Sequence, residues 1–207
     1  MNPSAQIYSS PLALTGISVF IARSWDGAHH NLTGQDNPPL NTFWSGPTQA
    51  RFTPYRIARP GDLVVTEIHY HPPAPTPSER ALNTNWSSRH FEFIETRNRT
   101  NATVDFFGAR FTKGIDFNFA TSSIVTLPPN GSLLLVSDRA AFAQRYGNHS
   151  EIAGVFEGEL DDAGETLRLE NVFNQELFEF GYNDNWYPVT DGLGYSLVQP
   201  RRACLCA

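Results

Sequence analysis

The chain has 207 residues, a formal net charge of −6, 40% hydrophobic residues and 13% aromatic ones. That length holds one full domain plus a smaller piece, since domains run about 100–200 residues, and the apolar content argues against a globally disordered chain. Arg201-Arg202 is the longest basic run. An acidic chain without a basic face is repelled by phosphate backbones, which argues against nucleic acid as a partner.

Gly and Pro number 15 each, which favours turns and short strands over long helices. Cys204 and Cys206 are the two cysteines, with one residue between them. They read as a frayed, thiol-bearing tail over 200–207, and they leave the body of the chain without a disulfide or a cysteine-based zinc site. No stretch reaches the roughly 20 apolar residues of a membrane span, and Met1–Ser10 lacks the pattern of a signal peptide.

In chain order, Ile17, Val19 and Ile21 alternate with Ser18, Phe20 and Ala22 and predict a strand within 12–23. Residues 26–47 read as a long polar loop and 48–52 as a second strand. Two strands with an apolar face do not bury it alone. The segment resembles the closing strands of fibronectin-type or chitobiase-C-terminal-like modules, so residues 1–57 are expected to be the truncated end of an upstream β module, with 54–60 as a linker.

From Asp62 the strand signals come closer together. Residues 62–70 predict a strand stopped by Pro72-Pro73. The stretch 72–89 reads as a loop, and 90–98 as a strand with Phe91, Phe93 and Glu95 opposite Glu92, Ile94 and Thr96. Further strands are expected at 104–112, at Phe117–Phe119, at 132–137, at Val155-Phe156, at 165–170, at 176–182 and at 194–198. Asp138 is placed to cap one short surface helix that Gly147 ends. Trp186 and Tyr195 are expected to cover one end of the core. Many short strands separated by turn residues form the pattern of an all-β sandwich.

The ordered blocks VTEIHYHPP, EFIETRN, VDFFGARFTKGIDFNF, LPPNGSLLLVSDRAAFAQRYG, LDDAGETLRLEN and DGLGYSL resemble the lamin tail domain family, in its bacterial secreted or surface form. The likeness spans about 62–199. It departs at Thr96-Arg97, where bacterial members often carry Leu, and in the length of the 72–89 loop. The resemblance implies an immunoglobulin-like antiparallel β-sandwich over 58–199, an extracellular or cell-surface setting, and no catalytic residues. Its implied partners are other domains of the same polypeptide, surface proteins or polysaccharide.

Glu67, His69 and His71 fall on one strand face and form the candidate metal stripe, for zinc. The competing reading is a solvated strand edge. Glu92, Glu95, Asp161, Asp162, Asp184 and Asp191 offer carboxylates for acid–base work or for calcium, although no EF-hand spacing occurs. No nucleophile elbow, phosphate loop, dinucleotide fingerprint or His-Glu-x-x-His motif is present, so no cofactor is called for. Sequons begin at Asn31, Asn85, Asn98, Asn101, Asn130 and Asn148, and read as turn residues in a bacterial protein. The expected function is a non-catalytic extracellular interaction or structural module. The alternative is an accessory domain of an extracellular hydrolase whose catalytic part lies outside this chain.

Overall fold

A computed structural model describes residues 5–28 and 42–199. The tail with Cys204 and Cys206, Asn31 and most of the predicted 26–47 loop lie outside the described residues. The chain divides into two compact units, 1–54 and 55–207.

In the first unit β1 (Ser18–Ala22) pairs antiparallel with β2 (Thr48–Phe52), in a register running from Ser18 opposite Phe52 to Ala22 opposite Thr48. A Trp25–Trp44 bridge and the 2.9 Å bond from Asp26 N–H to the Phe43 carbonyl extend the ribbon. The predicted alternation holds, and Ile17, Val19 and Ile21 remain 40%, 55% and 68% exposed.

The second unit is an all-β sandwich with two α-helices among the described residues. Its elements are β3 (Arg56–Ile57), β4 (Leu63–His69), α1 (Pro77–Leu82), β5 (Phe93–Asn98), β6 (Val104–Asp105), β7 (Arg110–Lys113), β8 (Thr126–Leu127), β9 (Ser132–Val136), α2 (Arg139–Tyr146), β10 (Ile152–Val155), β11 (Thr166–Glu170), β12 (Glu176–Gly181) and β13 (Leu197–Val198). Three sheets form, in the orders β10-β9-β5-β4-β13, β12-β11-β7 and β3-β6-β8. Pairing is antiparallel except for β10 with β9 and β3 with β6.

The 54–60 stretch is not a free linker. Arg56 and Ile57 pair with Val104 and Asp105, Ala58 is fully buried, and Arg56 meets the Asp62 carboxylate at 2.6 Å. The sandwich therefore begins at Tyr55, because the small third sheet needs this strand to close one end of the core.

Leu63, Ile94, Leu133 and Leu135 from the five-stranded sheet share the main core with Phe111, Leu167 and Leu169 from the three-stranded sheet. β9 buries both of its faces, which is why Ser132–Val136 reads as a continuous apolar run. Leu133 and Leu135 enter the main core, whereas Leu134 and Val136 join Phe93, Phe142 and Ile152 in a second cluster behind the sheet. Phe93 is 7% exposed and belongs to that second cluster.

The capping prediction for α2 holds: the Asp138 carboxylate accepts from Ala140 and Ala141 N–H at 2.8 and 2.9 Å, and Gly147 ends the helix at φ 91°. The helix is not a surface turn, since Ala141 and Phe142 are buried and pack the second cluster against the sheet. Phe117–Phe119 is likewise not a strand. Asn118 caps a 3-10 turn, and Phe106, Phe117 and Phe119 stack edge-to-face beneath it.

β4 carries a bulge between Val65 and Glu67. One extra residue flips the facing of everything after it. Leu63 and Val65 point into the main core before the bulge, and Ile68 and Tyr70 do so after it, leaving His69 on the α2 side.

Candidate functional site

Three chain segments meet at one end of the sandwich: the stretch after β4, the 157–165 loop and the 182–196 segment. His71 joins them. Its carbonyl accepts the Gly192 N–H at 3.0 Å, its Nδ1 lies 2.5 Å from Asp191 Oδ1, and its Nε2 lies 3.7 Å from Asp162 Oδ2. Gly164, at φ 112°, allows the 157–165 loop to lie on β12's exit. A Cβ there would collide with the Tyr182 carbonyl oxygen, so glycine is required. The Tyr182 hydroxyl donates to the Asp161 carbonyl at 3.0 Å and to the Glu165 carboxylate at 3.2 Å, which fixes the loop.

Beside this junction lies a cleft of about 500 Å³. Ser87, Ser88, Arg89 and Glu92 line it from the turn before β5, and Glu159, Leu160, Asp161, Asp162 and Glu165 line it from the loop. Arg89 and Glu159 pair across the rim at 3.2 Å. Glu92, only 2% exposed, forms the floor, and the Leu160 N–H donates to its Oε2 at 2.9 Å. Burial pushes the Glu92 carboxyl up to about 8, with the Leu160 bond opposing and Asp162 and Glu159 adding to the rise. It is therefore uncharged at neutral pH. Burial also raises Asp162, against the pull of His71, and raises Glu165.

Ser87 Oγ stands 3.1 Å from His90 Nδ1, a spacing open to nucleophile–base chemistry. The same Nδ1 accepts Ser87's own N–H at 3.0 Å, so the pair closes a capping box on the 3-10 turn Ser88–Phe91.

Glu67 and His69 lie in β4 and His71 just beyond its end, and each engages a different partner. Glu67 accepts from Ser196 Oγ at 2.5 Å. His69 is 3% exposed, with the Tyr146 hydroxyl 3.0 Å from its Nδ1 and Nε2 unpaired. The solvated-edge reading therefore does not hold: β13 pairs outside β4 and α2 covers His69. Burial, with Arg145 and His71 nearby, lowers His69 to about 4. Among the described residues no three His, Cys, Asp or Glu side chains gather as a metal site.

Of the predicted carboxylates, Glu92, Asp161 and Asp162 share the cleft, and Asp191 reaches it through His71. Glu95 instead accepts from Thr66 Oγ1 on the neighbouring strand, and Asp184 bonds Asn185 in an exposed turn. Glu159, Glu165 and Arg89 went unrecognised in the sequence. The dense acidic run Glu157–Glu165 was the available signal for the first two.

The 72–89 stretch is also more ordered than a loop. Thr76-Pro77-Ser78-Glu79 forms a capping box with Pro at the first helical position, a motif readable in the sequence, and it starts α1. Trp186 and Tyr195 do not cover the core, being 56% and 64% exposed, and Tyr187 is 58% exposed. Tyr70 and Tyr182 close that end instead, with ring centroids 4.8 Å apart and the Tyr70 hydroxyl 2.8 Å from the buried Thr190 hydroxyl.

Fold and site define an all-β sandwich with a carboxylate-lined cleft among its loops. The chain matches no family model, no curated protein and no solved structure.

Proposed function

We propose that this chain is a non-catalytic extracellular interaction module of a larger surface or secreted protein, related to the bacterial lamin tail domains. The single observation that carries the reading is the loop end of the sandwich. A polar cleft of about 500 Å³ opens there beside a segment whose Trp186, Tyr187 and Tyr195 side chains face solvent. That segment bonds the cleft's loop through Asn183 and the Ala163 carbonyl, and exposed aromatic side chains on such a segment are the chemistry of a recognition surface. Further support comes from the family-like blocks, which coincide with successive elements: VTEIHYHPP with β4, EFIETRN with β5 and SLLLVSDRAAFAQRY with β9 and α2.

The Ser87–His90 pair at the cleft's edge is engaged in capping and the floor carboxyl is held by the Leu160 amide, which favours binding over turnover. The test is turnover of p-nitrophenyl acetate and of p-nitrophenyl glycosides. Rates at the buffer background are expected. Turnover that disappears in Ser87→Ala or Glu92→Gln would overturn the non-catalytic reading. Antibody labelling of the chain on intact source cells checks the extracellular setting, and labelling only after permeabilisation contradicts it.

A further inference from the structure

We propose that His69 is the catch of an acid-released latch, which holds α2 and, through α2, the 72–91 wall of the cleft against the sheet. The proposal goes beyond the recognition reading and holds whatever the cleft binds.

His69 lies between β4 and α2 at 3% exposure, its ring edge-to-face with Phe93 at 5.6 Å between centroids. The Tyr146 hydroxyl of α2 meets its Nδ1 at 3.0 Å, and Nε2 is buried with no hydrogen-bond partner. In the neutral ring that unpaired atom carries no charge. The protonated ring donates from both nitrogens, so Nε2–H then shares a buried positive charge and meets no acceptor. The charged groups around the ring offer no relief. Arg145 on α2 and His71 beyond β4 oppose a further positive charge. On β4 itself Glu67 is engaged by Ser196, and on α1 Glu79 is taken up by Arg145. His149, beyond α2, packs on Phe142 and faces Glu151.

The part held by this catch is separable from the core. α2 closes the second cluster, in which Phe142 packs with Phe93, Leu134, Val136 and Ile152 on the opposite side of the sheet from the main core. A small cluster under one outer helix opens at less cost than the whole sandwich. Arg145 stands next to Tyr146, bonds Glu79 and the Pro73 carbonyl, and lies over the Phe91 ring. A departing α2 therefore carries away the anchor of α1 and of the turn before β5. The ordinary imidazole value is 6.5 and the folded one about 4, so the closed form loses ground as pH falls from 6.5 to 4.

The experiment is amide hydrogen exchange of the full chain, read by mass spectrometry at pH ~6.5 and ~4.5 and corrected for the intrinsic rate at each pH. Protection of the α2 and α1 amides is expected to fall together by ~30-fold over that range, to a level below that of the β5 and β9 amides. His69→Phe should remove the fall, and His69→Gln, a smaller neutral replacement, should do the same. His149→Gln should keep it. Equal protection of α2 and of β5 and β9 at both pH values means that α2 opens only with the whole sandwich, and overturns the proposal. So does a fall that survives in both His69 variants, or one that disappears in His149→Gln.

Discussion

Arg145 of α2 clasps Glu79 of α1 with two parallel bonds, Nε to Oε1 at 2.8 Å and Nη2 to Oε2 at 2.7 Å, across 66 residues of sequence. The same guanidinium donates to the Pro73 carbonyl at 2.9 Å and lies 3.3 Å over the Phe91 ring. Both side chains are nearly buried, at 13% and 8% exposure. One ion pair thus pins the whole 72–91 stretch, and with it the turn that lines one wall of the cleft.

Breaking that pair from one side leaves an uncompensated charge. Arg145→Ala is expected to destabilise the fold by about 3 kcal/mol. Arg145→Met with Glu79→Leu should recover most of that loss, because no buried charge then remains. Urea melts of the single and double variants check it. The Arg145 bond is the main reason Glu79 is held down to about 2, from an ordinary value of 4.5. Its contribution is present above pH 4.5 and is lost as pH falls toward 2, a loss that Glu79→Gln should no longer show.

Glu92 works in the opposite direction. Its folded value of about 8 lies above the ordinary 4.5, so the folded state holds a proton that the unfolded chain releases. The associated stability is complete below pH 4.5 and is lost as pH rises through 8. Glu92→Gln mimics the protonated acid without titrating. It is expected to match the parent near pH 4.5 and to exceed it at pH 8 by a few kcal/mol, because each tenfold change in proton affinity is worth about 1.4 kcal/mol. Melting curves across that range provide the measurement.

His69 titrates from an ordinary 6.5 down to about 4 in the fold, so its stability is present above pH 6.5 and is lost as pH falls to 4. His69→Phe should melt higher than the parent near pH 4.5. Above pH 6.5 it should sit lower by about 1 kcal/mol, because the Tyr146 hydroxyl loses its partner. Added zinc should leave the melting temperature unchanged, since among the described residues no three His, Cys, Asp or Glu side chains gather to hold it. A zinc-dependent rise that vanishes in a His69→Ala, His71→Ala double variant would contradict this.

The start of the sandwich is testable by truncation. A chain beginning at Tyr55 should fold cooperatively. One beginning at Gly61 loses β3, the buried Ala58 and the 2.6 Å Arg56–Asp62 pair, and should melt several degrees lower, at about 2–4 °C per kcal/mol. Equal melting temperatures for the two chains would mean that β3 contributes nothing.

Much of this was readable locally. The shift from Leu63 and Val65 to Ile68 and Tyr70 is a change of phase within one strand, and a phase change in a half-buried strand signals a bulge. Thr76-Pro77-Ser78-Glu79 spelled out a helix start inside what composition alone read as loop. Trp186 and Tyr195 misled because aromatic residues are core-formers on average. Whether a given ring is inside depends on what else reaches the spot, and Tyr70 and Tyr182 reached it first.

The sequence by itself determined the strand class, the Asp138 and Gly147 ends of α2, the continuous apolar run of β9 and the alternation in β11 that makes Leu167 and Leu169 core residues. These follow from backbone dihedrals and side-chain period, which act within a few residues. The tertiary structure alone decided which acidic residues share a cleft, that Glu92 sits at its floor, that His69 lies under Tyr146, and that Tyr70 finds Thr190 across 120 residues. Such pairings depend on how sheets stack and where loops return. The free energy that selects them comes from burial and desolvation between distant segments, and no local pattern encodes it.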